Sequence, residues 1–318
     1  LLFPTLLANI GTLSDKIKIL SLHRYLQKKS LAQIFDDDEI SSLQYLKAYG
    51  FSDKIIDRFF RPFFSGIFLE PRLETSSRMF EFVFKMFGSG SAAVPKAGIS
   101  AISDQLVANL NSTTFRFDTQ VSQVANDKLY LSNGEVIEHQ YAIIATEADH
   151  LIRNLSDQEI DWHSCHNLYF ETRERGIKKP LIGLIADPEA LINNIFYPTS
   201  LATAARPERQ LLSVTVVKPH YLDTEALIAR VIRDLEQYGG ISDCQFIKHY
   251  HLKKALPQIN DLKNELAPSH TRLTDNIFLA GDQMLNGSLN AAMISGERAA
   301  MGIIESFSNY PIVIPKIQ

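Results

Sequence analysis

Residues 276–300 read NIFLAGDQMLNGSLNAAMISGERAA, and their pattern decides the fold. Ile277-Phe278-Leu279-Ala280 is a short apolar run of the kind that forms a buried strand. It ends in Gly281-Asp282. A polar loop with Asn286-Gly287-Ser288 follows, and then a long helix over residues 289–307. Open α/β sheets bind ligands at the carboxyl ends of their strands, where this loop falls. Gly281 lets a bulky ligand approach the backbone. Asp282 offers a carboxylate that accepts hydrogen bonds from sugar hydroxyls. The helix start near Ser288-Leu289-Asn290 presents free N–H groups and a positive dipole end, suited to an electron-rich or anionic group. Ala291, Ala292, Ser295 and Gly296 allow the helix to pack closely.

Upstream, Tyr141-Ala142-Ile143-Ile144-Ala145-Thr146 is a second short apolar run, again expected as a buried strand. Before it, Val121 and Val124 lead to Lys128-Leu129-Tyr130-Leu131. Ser132-Asn133-Gly134 then marks a hairpin turn before Val136-Ile137. Strands are expected over 167–172, 181–186, 194–197, 211–217 and 246–252. A helix over 224–238 should end at Gly239-Gly240. Residues 1–92 read as helical. Thr12, Ser14 and Asp15 offer caps for a helix over 16–28, and Gly50 closes a helix before Ser52-Asp53 opens the next. The acidic run 36–39 reads as N-capping charge for a helix starting near Ile40. Its ligands are too contiguous for a hard-cation site. Two Phe-rich stretches, 59–64 and 80–87, read as core in preference to the lining of a substrate tunnel. The alternation of elements predicts an α/β protein whose chain passes between domains several times.

Composition narrows the function classes. The chain has 318 residues, enough for about two domains. Hydrophobic residues make up 45% and charged residues 21%, and the net charge is −4. That balance carries no basic nucleic-acid footprint. No apolar run approaches the length of a membrane-spanning helix. Two cysteines, Cys165 and Cys244, cannot build a disulfide framework and fit a reducing compartment. The expected location is cytoplasmic, with association at a membrane surface left open. GxSxG, Walker A and HExxH motifs are absent.

The 276–300 segment resembles the C-terminal FAD-binding motif of the flavin-containing amine oxidase superfamily, which includes protoporphyrinogen oxidases and phytoene-desaturase-like enzymes. Other segments resemble that family in the same order. Pro95-Lys96-Ala97-Gly98 with Ile102 and Leu106 is similar to its P-x-x-G…L…L stretch. Thr119-Gln120-Val121-Ser122-Gln123-Val124 is similar to T-x-V-x-x-I, residues 142–146 to V-I-x-A-T, and Ala255-Leu256-Pro257 to A-L/I-P. The resemblance implies an incomplete FAD-binding Rossmann-like domain interleaved with a helical and mixed-sheet substrate domain. Residues 93–150 and 271–318 would belong to the FAD domain. Residues 1–92 would form the helical part of the substrate or cap domain, and 151–270 its mixed sheet.

The same resemblance implies cofactor contacts. Val121 would lie toward the adenine side of FAD, and Ala145 and Thr146 would line the cofactor. Asp282 would hold the ribityl chain, and the Leu289-Asn290 helix start would face the pyrimidine end of the flavin. Gly281 and Ser288 are cofactor-binding candidates beside them. The implied reaction is hydride transfer from a substrate carbon to flavin. The abundance of Phe, and the lack of a lysine matching the one that orients water in many amine oxidases, point to an apolar small-molecule substrate. Lys178 and Lys179 lie in the right region but in a turn-like context. No acid or base is nominated.

The family's strand–GxGxxG–helix is missing. Residues 88–93 imitate GxGxxA but follow a helix-like run, and Pro95 interrupts the next turn, so that reading is rejected. The expectation is that the chain begins inside a longer protein. The rival expectation is a non-catalytic remnant that acts as a binding module. His163-Ser164-Cys165-His166 matches no standard zinc spacing and is read as ordinary strand residues. His249 and His251 share one strand face and are read as surface residues in preference to cavity residues. Arg61-Pro62-Phe63-Phe64 is expected to close a helix, with Arg61 paired locally.

Overall fold

A computed structural model describes residues 9–152, 160–201 and 208–308. The chain opens with α1 (Leu13–Lys28), α2 (Leu31–Asp36) and α3 (Ser42–Ala48). Each starts at a reciprocal cap: Thr12 with Asp15, Ser30 with Gln33, and Ser41 with Gln44. A hydroxyl and a side chain three residues on satisfy two otherwise orphaned N–H groups at once. The acidic run therefore does not cap α3, as its charge suggested. Asp36 ends α2, Asp37 pairs with Lys29, and Ser41 accepts the Gln44 N–H at 3.1 Å.

Gly50 takes the left-handed conformation, φ +86°, before Ser52 opens the next turn. That turn (Asp53–Ile55) runs through a π-helical turn (Ile56–Phe60) into α4 (Arg61–Phe68). Arg61-Pro62 thus lies within a continuous helical stretch instead of closing a helix. The Arg61 N–H still donates to the Ile56 carbonyl, and the proline follows directly on the π turn. Arg61 does pair locally, donating to Asp57 at 3.1 Å and to the Pro71 carbonyl at 2.9 Å. α5 (Ser77–Ser89) and α6 (Ala101–Ala108) complete this stretch. Gly88 and Ser89 are the end of α5, so a helix and not a strand precedes the glycine-rich stretch.

Next come β1 (Val121–Val124), β2 (Lys128–Leu131) and β3 (Val136–Glu138), an antiparallel meander. Gly134, at φ +89°, makes the expected hairpin turn. β4 (Ala142–Ile144) follows. Then come β5 (Trp162–Thr172), β6 (Gly183–Leu184), β7 (Ile192–Phe196) and β8 (Gln210–Val216). α7 (Thr224–Gly239) ends at Gly240, φ +64°, and leads to β9 (Cys244–Pro257). The chain returns through β10 (Ile277–Leu279) to α8 (Leu289–Ser308). The 181–186 strand shrinks to two residues at a sheet edge beside Pro180, which lacks a ladder donor.

Helices and open sheets together make an α/β fold, as the alternation predicts. Contacts divide the chain into two compact units: Leu1–Asn109 with Trp162–Leu256, and Leu110–Asp161 with Pro257–Gln318. Among the described residues, the first holds two cores. In its helical body, Phe60, Phe64, Phe68 and Phe80 are buried with Leu22, Leu26 and Leu46. In its sheet, ordered β6-β7-β8-β5-β9, Leu168, Phe170, Leu212, Val214 and Val216 pack with Leu227, Val231 and Leu235 of α7. The second unit has smaller cores, one of them built from Val124, Ile144, Ala148 and Ile277.

Candidate functional site

β4 and β10 run parallel, with Ile144 opposite Leu279, and the Ala280 N–H donates to the Ile144 carbonyl at 2.9 Å. Ala145-Thr146 and Gly281-Asp282 therefore leave the pair at the same, carboxyl end. Ala145 and Thr146 are exposed, and Gly281 and Asp282 are half-buried. Gly281 sits at φ +153°, where a side chain is strained, and a Cβ there would fall on the Gln283 side chain. Its N–H donates to the Ser295 hydroxyl at 2.8 Å, and that hydroxyl in turn donates to the Ala292 carbonyl. A tight turn (Asp282–Met284) follows, closed by donation from Gly287 N–H to the Asp282 carbonyl at 3.0 Å.

The far side of the loop is built by side chains. Asn286, buried, donates to the Lys263 carbonyl at 2.9 Å and accepts from the Ser288 hydroxyl at 2.7 Å. Ser288 accepts the Ala291 N–H at 3.1 Å and so caps α8. Leu289, 55% exposed, and Asn290, also exposed, form the first turn, whose N–H groups lack helical acceptors. Burial pushes the Asp282 carboxyl above its ordinary range, and the N–H groups of Gln283 and Asp282 oppose that shift.

The structure thus brings together seven of the eight residues singled out in the sequence: Ala145, Thr146, Gly281, Asp282, Ser288, Leu289 and Asn290. Val121 begins β1 and packs against the core of Val124, Ile144, Ala148 and Ile277, which includes one residue each of β4 and β10. Sequence reading missed the hydrogen-bonding roles of Ser295 and Asn286. In the sequence, Ser295 reads only as a small residue. It lies on a buried stripe with Ala291 and Ala299 at four-residue spacing, and a hydroxyl on such a stripe must find a partner. That spacing was the available signal.

The donor set suits a flavin nucleotide. A glycine corner permits close approach, a carboxylate takes hydroxyls, and a helix N-terminus faces outward at the same loop. Lys178 and Lys179 are exposed. Cys165 is buried, and burial raises its thiol pKa. Among the described residues, no group of three or more His, Cys, Asp or Glu is arranged to hold a metal ion. None of the described helices is long and apolar enough to cross a membrane.

The family described as flavin containing amine oxidoreductase matches residues 2–304. No curated protein matches the chain. Among solved structures, it is similar to an oxidoreductase from Methanosarcina mazei (16% identity, TM-score 0.68, covering 95% of this chain and 74% of that one). It is also similar to a candidate protoporphyrinogen oxidase from Exiguobacterium sp. 255-15 (16%, TM-score 0.63, 94% and 73%). A third is a triple mutant of putrescine oxidase redesigned in its cofactor binding (12%, TM-score 0.66, 94% and 77%). At these identities the likeness shows the fold.

Proposed function

The chain belongs to the flavin-containing amine oxidoreductase family, and from that premise we propose that it serves an FAD-dependent oxidoreductase acting on an apolar small molecule. The observation that carries the reading is the strand-end corner, where Gly281, Asp282 and the capped start of α8 converge on one loop. Bound FAD would supply the ring that accepts hydride from a substrate carbon. The protein's own part is to hold and polarise. Asp282 would accept hydrogen bonds from the ribityl hydroxyls, and its raised pKa makes it a better acceptor. The α8 N-terminus would stabilise negative charge at the pyrimidine end of the ring. Ala145 and Gly281 would keep side-chain bulk out of the cofactor's path, Thr146 would line it, and Val121 would support the adenine side.

The apolar-substrate part rests on the lack of a clearly matching lysine. The phenylalanines that also suggested it are largely spent on the helical core, with Phe60, Phe64 and Phe80 fully buried. A substrate panel on the natural gene product that carries this chain tests this part. Turnover of simple amines with none of apolar substrates would overturn it. Cofactor binding is tested on the same product by flavin absorption and fluorescence. Asp282→Ala should weaken FAD binding by about tenfold or more, the worth of a hydrogen bond to a charged group. Wild-type protein that neither retains nor takes up flavin would sink the reading.

A further inference from the structure

Four histidines from separate parts of the first unit meet at one edge of the five-stranded sheet. His166 lies on β5, His249 and His251 on β9, and His220 in the connection from β8 to α7. His166 Nδ1 and His249 Nε2 are hydrogen-bonded at 2.9 Å. The His166 ring centroid lies 4.1 Å from that of His251, 4.6 Å from His220 and 5.1 Å from His249. A bond between two ring nitrogens needs one N–H and one bare lone pair, so it exists only while at least one ring is neutral. The His166 and His251 rings lie 14° from parallel, a stack and not a set of nitrogens converging on a metal.

Among the described residues, no acid figures in the charges acting on His166, His220 or His249. The charges acting on His166 come from His251, His220 and His249, and those on His249 and His220 from other members of the group. Flanking ionisable residues are Lys218 and Tyr221 beside His220, Lys248 and Tyr250 beside His249, and Lys253 beyond His251. Asp223, the nearest acid along that connection, is committed to capping α7 at the Ala226 N–H. His163, also on β5, is influenced by Glu70 and Glu74 instead.

β9 is an edge strand with little burial to hold it. Phe246, Ile247, Tyr250 and Leu252 are 36–49% exposed. It is also the strand that carries the chain out of the first unit, which ends at Leu256. We propose that these four histidines form a proton-operated latch, in which neutral imidazoles hold β9 against β5 and protonation of the cluster frees the strand. Burial, then the neighbouring imidazoles, push the His166 pKa down to about 4, and His220 and His249 are lowered for the same reasons. A histidine held below its free value binds protons more readily once released. The latch is therefore fully closed above the ordinary histidine range and loses strength as pH falls toward about 4.

The test is hydrogen exchange of the full chain, with a chelator present, from about pH 7.5 to about pH 5, corrected for intrinsic exchange. Peptides of β9 should lose about tenfold more protection than those of β7 and β8. His251→Gln, at an exposed ring, should flatten that difference. If the variant does not fold, imidazole titration of the wild type decides, and His166 should titrate well below free histidine. Equal loss of protection across the sheet, or a His166 that titrates like a free imidazole, would overturn the latch.

Discussion

The helical body of the first unit and the strand-end corner of the second are built on opposite principles. In the helical body, Phe60 is fully buried, with ring centroids of Phe51, Phe59, Phe80, Phe64 and Phe84 at 4.8–6.4 Å. In the corner, Ile143 on β4 is 40% exposed and Leu289 is 55% exposed. The corner keeps its shape by backbone geometry at Gly281 and by the hydroxyls of Ser288 and Ser295. Aromatic packing gives stability without open surface, whereas a ligand loop needs open surface and must be held by directional bonds. In this chain the two needs are met in different places.

The sharpest way to break that contrast is Phe60→Ala. It should cost about 3–5 kcal/mol, read from urea or guanidinium midpoints, because the cavity it leaves is ringed by other buried side chains. A cost under about 1 kcal/mol, the scale of a surface change, would mean that this core is not what holds the first unit.

A smaller effect is expected at Asp15. Its carboxylate accepts from the Thr12 N–H at 2.8 Å and hydroxyl at 2.7 Å, and from the Ser52 N–H at 2.9 Å and hydroxyl at 2.6 Å. Burial alone would raise its pKa, but these bonds outweigh it and hold the group well below the usual carboxylate range. A lowered folded pKa contributes stability above the unfolded value and loses it as pH falls toward the folded one. Asp15→Asn should thus cost about 1–3 kcal/mol at neutral pH. Its stability gap to the wild type should close on acidification. A gap that stays constant down the acid limb would show that packing, not charge, is what Asp15 supplies.

The smallest effect belongs to the corner. Ser295→Ala removes the acceptor of the Gly281 N–H and should cost about 1 kcal/mol globally. Its main readout is local, as faster exchange of the Gly281 amide with the helical body unchanged. A global loss as large as that of Phe60→Ala would erase the contrast and make the corner part of the stabilising core.

Much of this was legible in the chain itself. Local rules sufficed wherever one residue type does one job. Gly134 makes its hairpin turn, Gly50 stops a helix, and Gly281-Asp282 follows its strand directly. The same rules erred where two local signals competed. The charge of residues 36–39 suggested a cap, but the reciprocal Ser41–Gln44 pair took the role. Pro62 suggested a stop, but the helical stretch runs through it directly after a π turn.

What the sequence by itself determined is the order of elements, the apolar strands and the loop that carries Gly281, Asp282 and Ser288. Those follow from backbone preferences and hydrophobic periodicity, which act over a few residues. Tertiary structure alone decided that β4 and β10 are parallel neighbours, 135 residues apart at Ala142 and Ile277. It alone set the Ser295 hydroxyl against Gly281 and gathered His166, His220, His249 and His251 at one edge. Such meetings are settled by which surfaces bury each other across the chain, and no local pattern records that outcome.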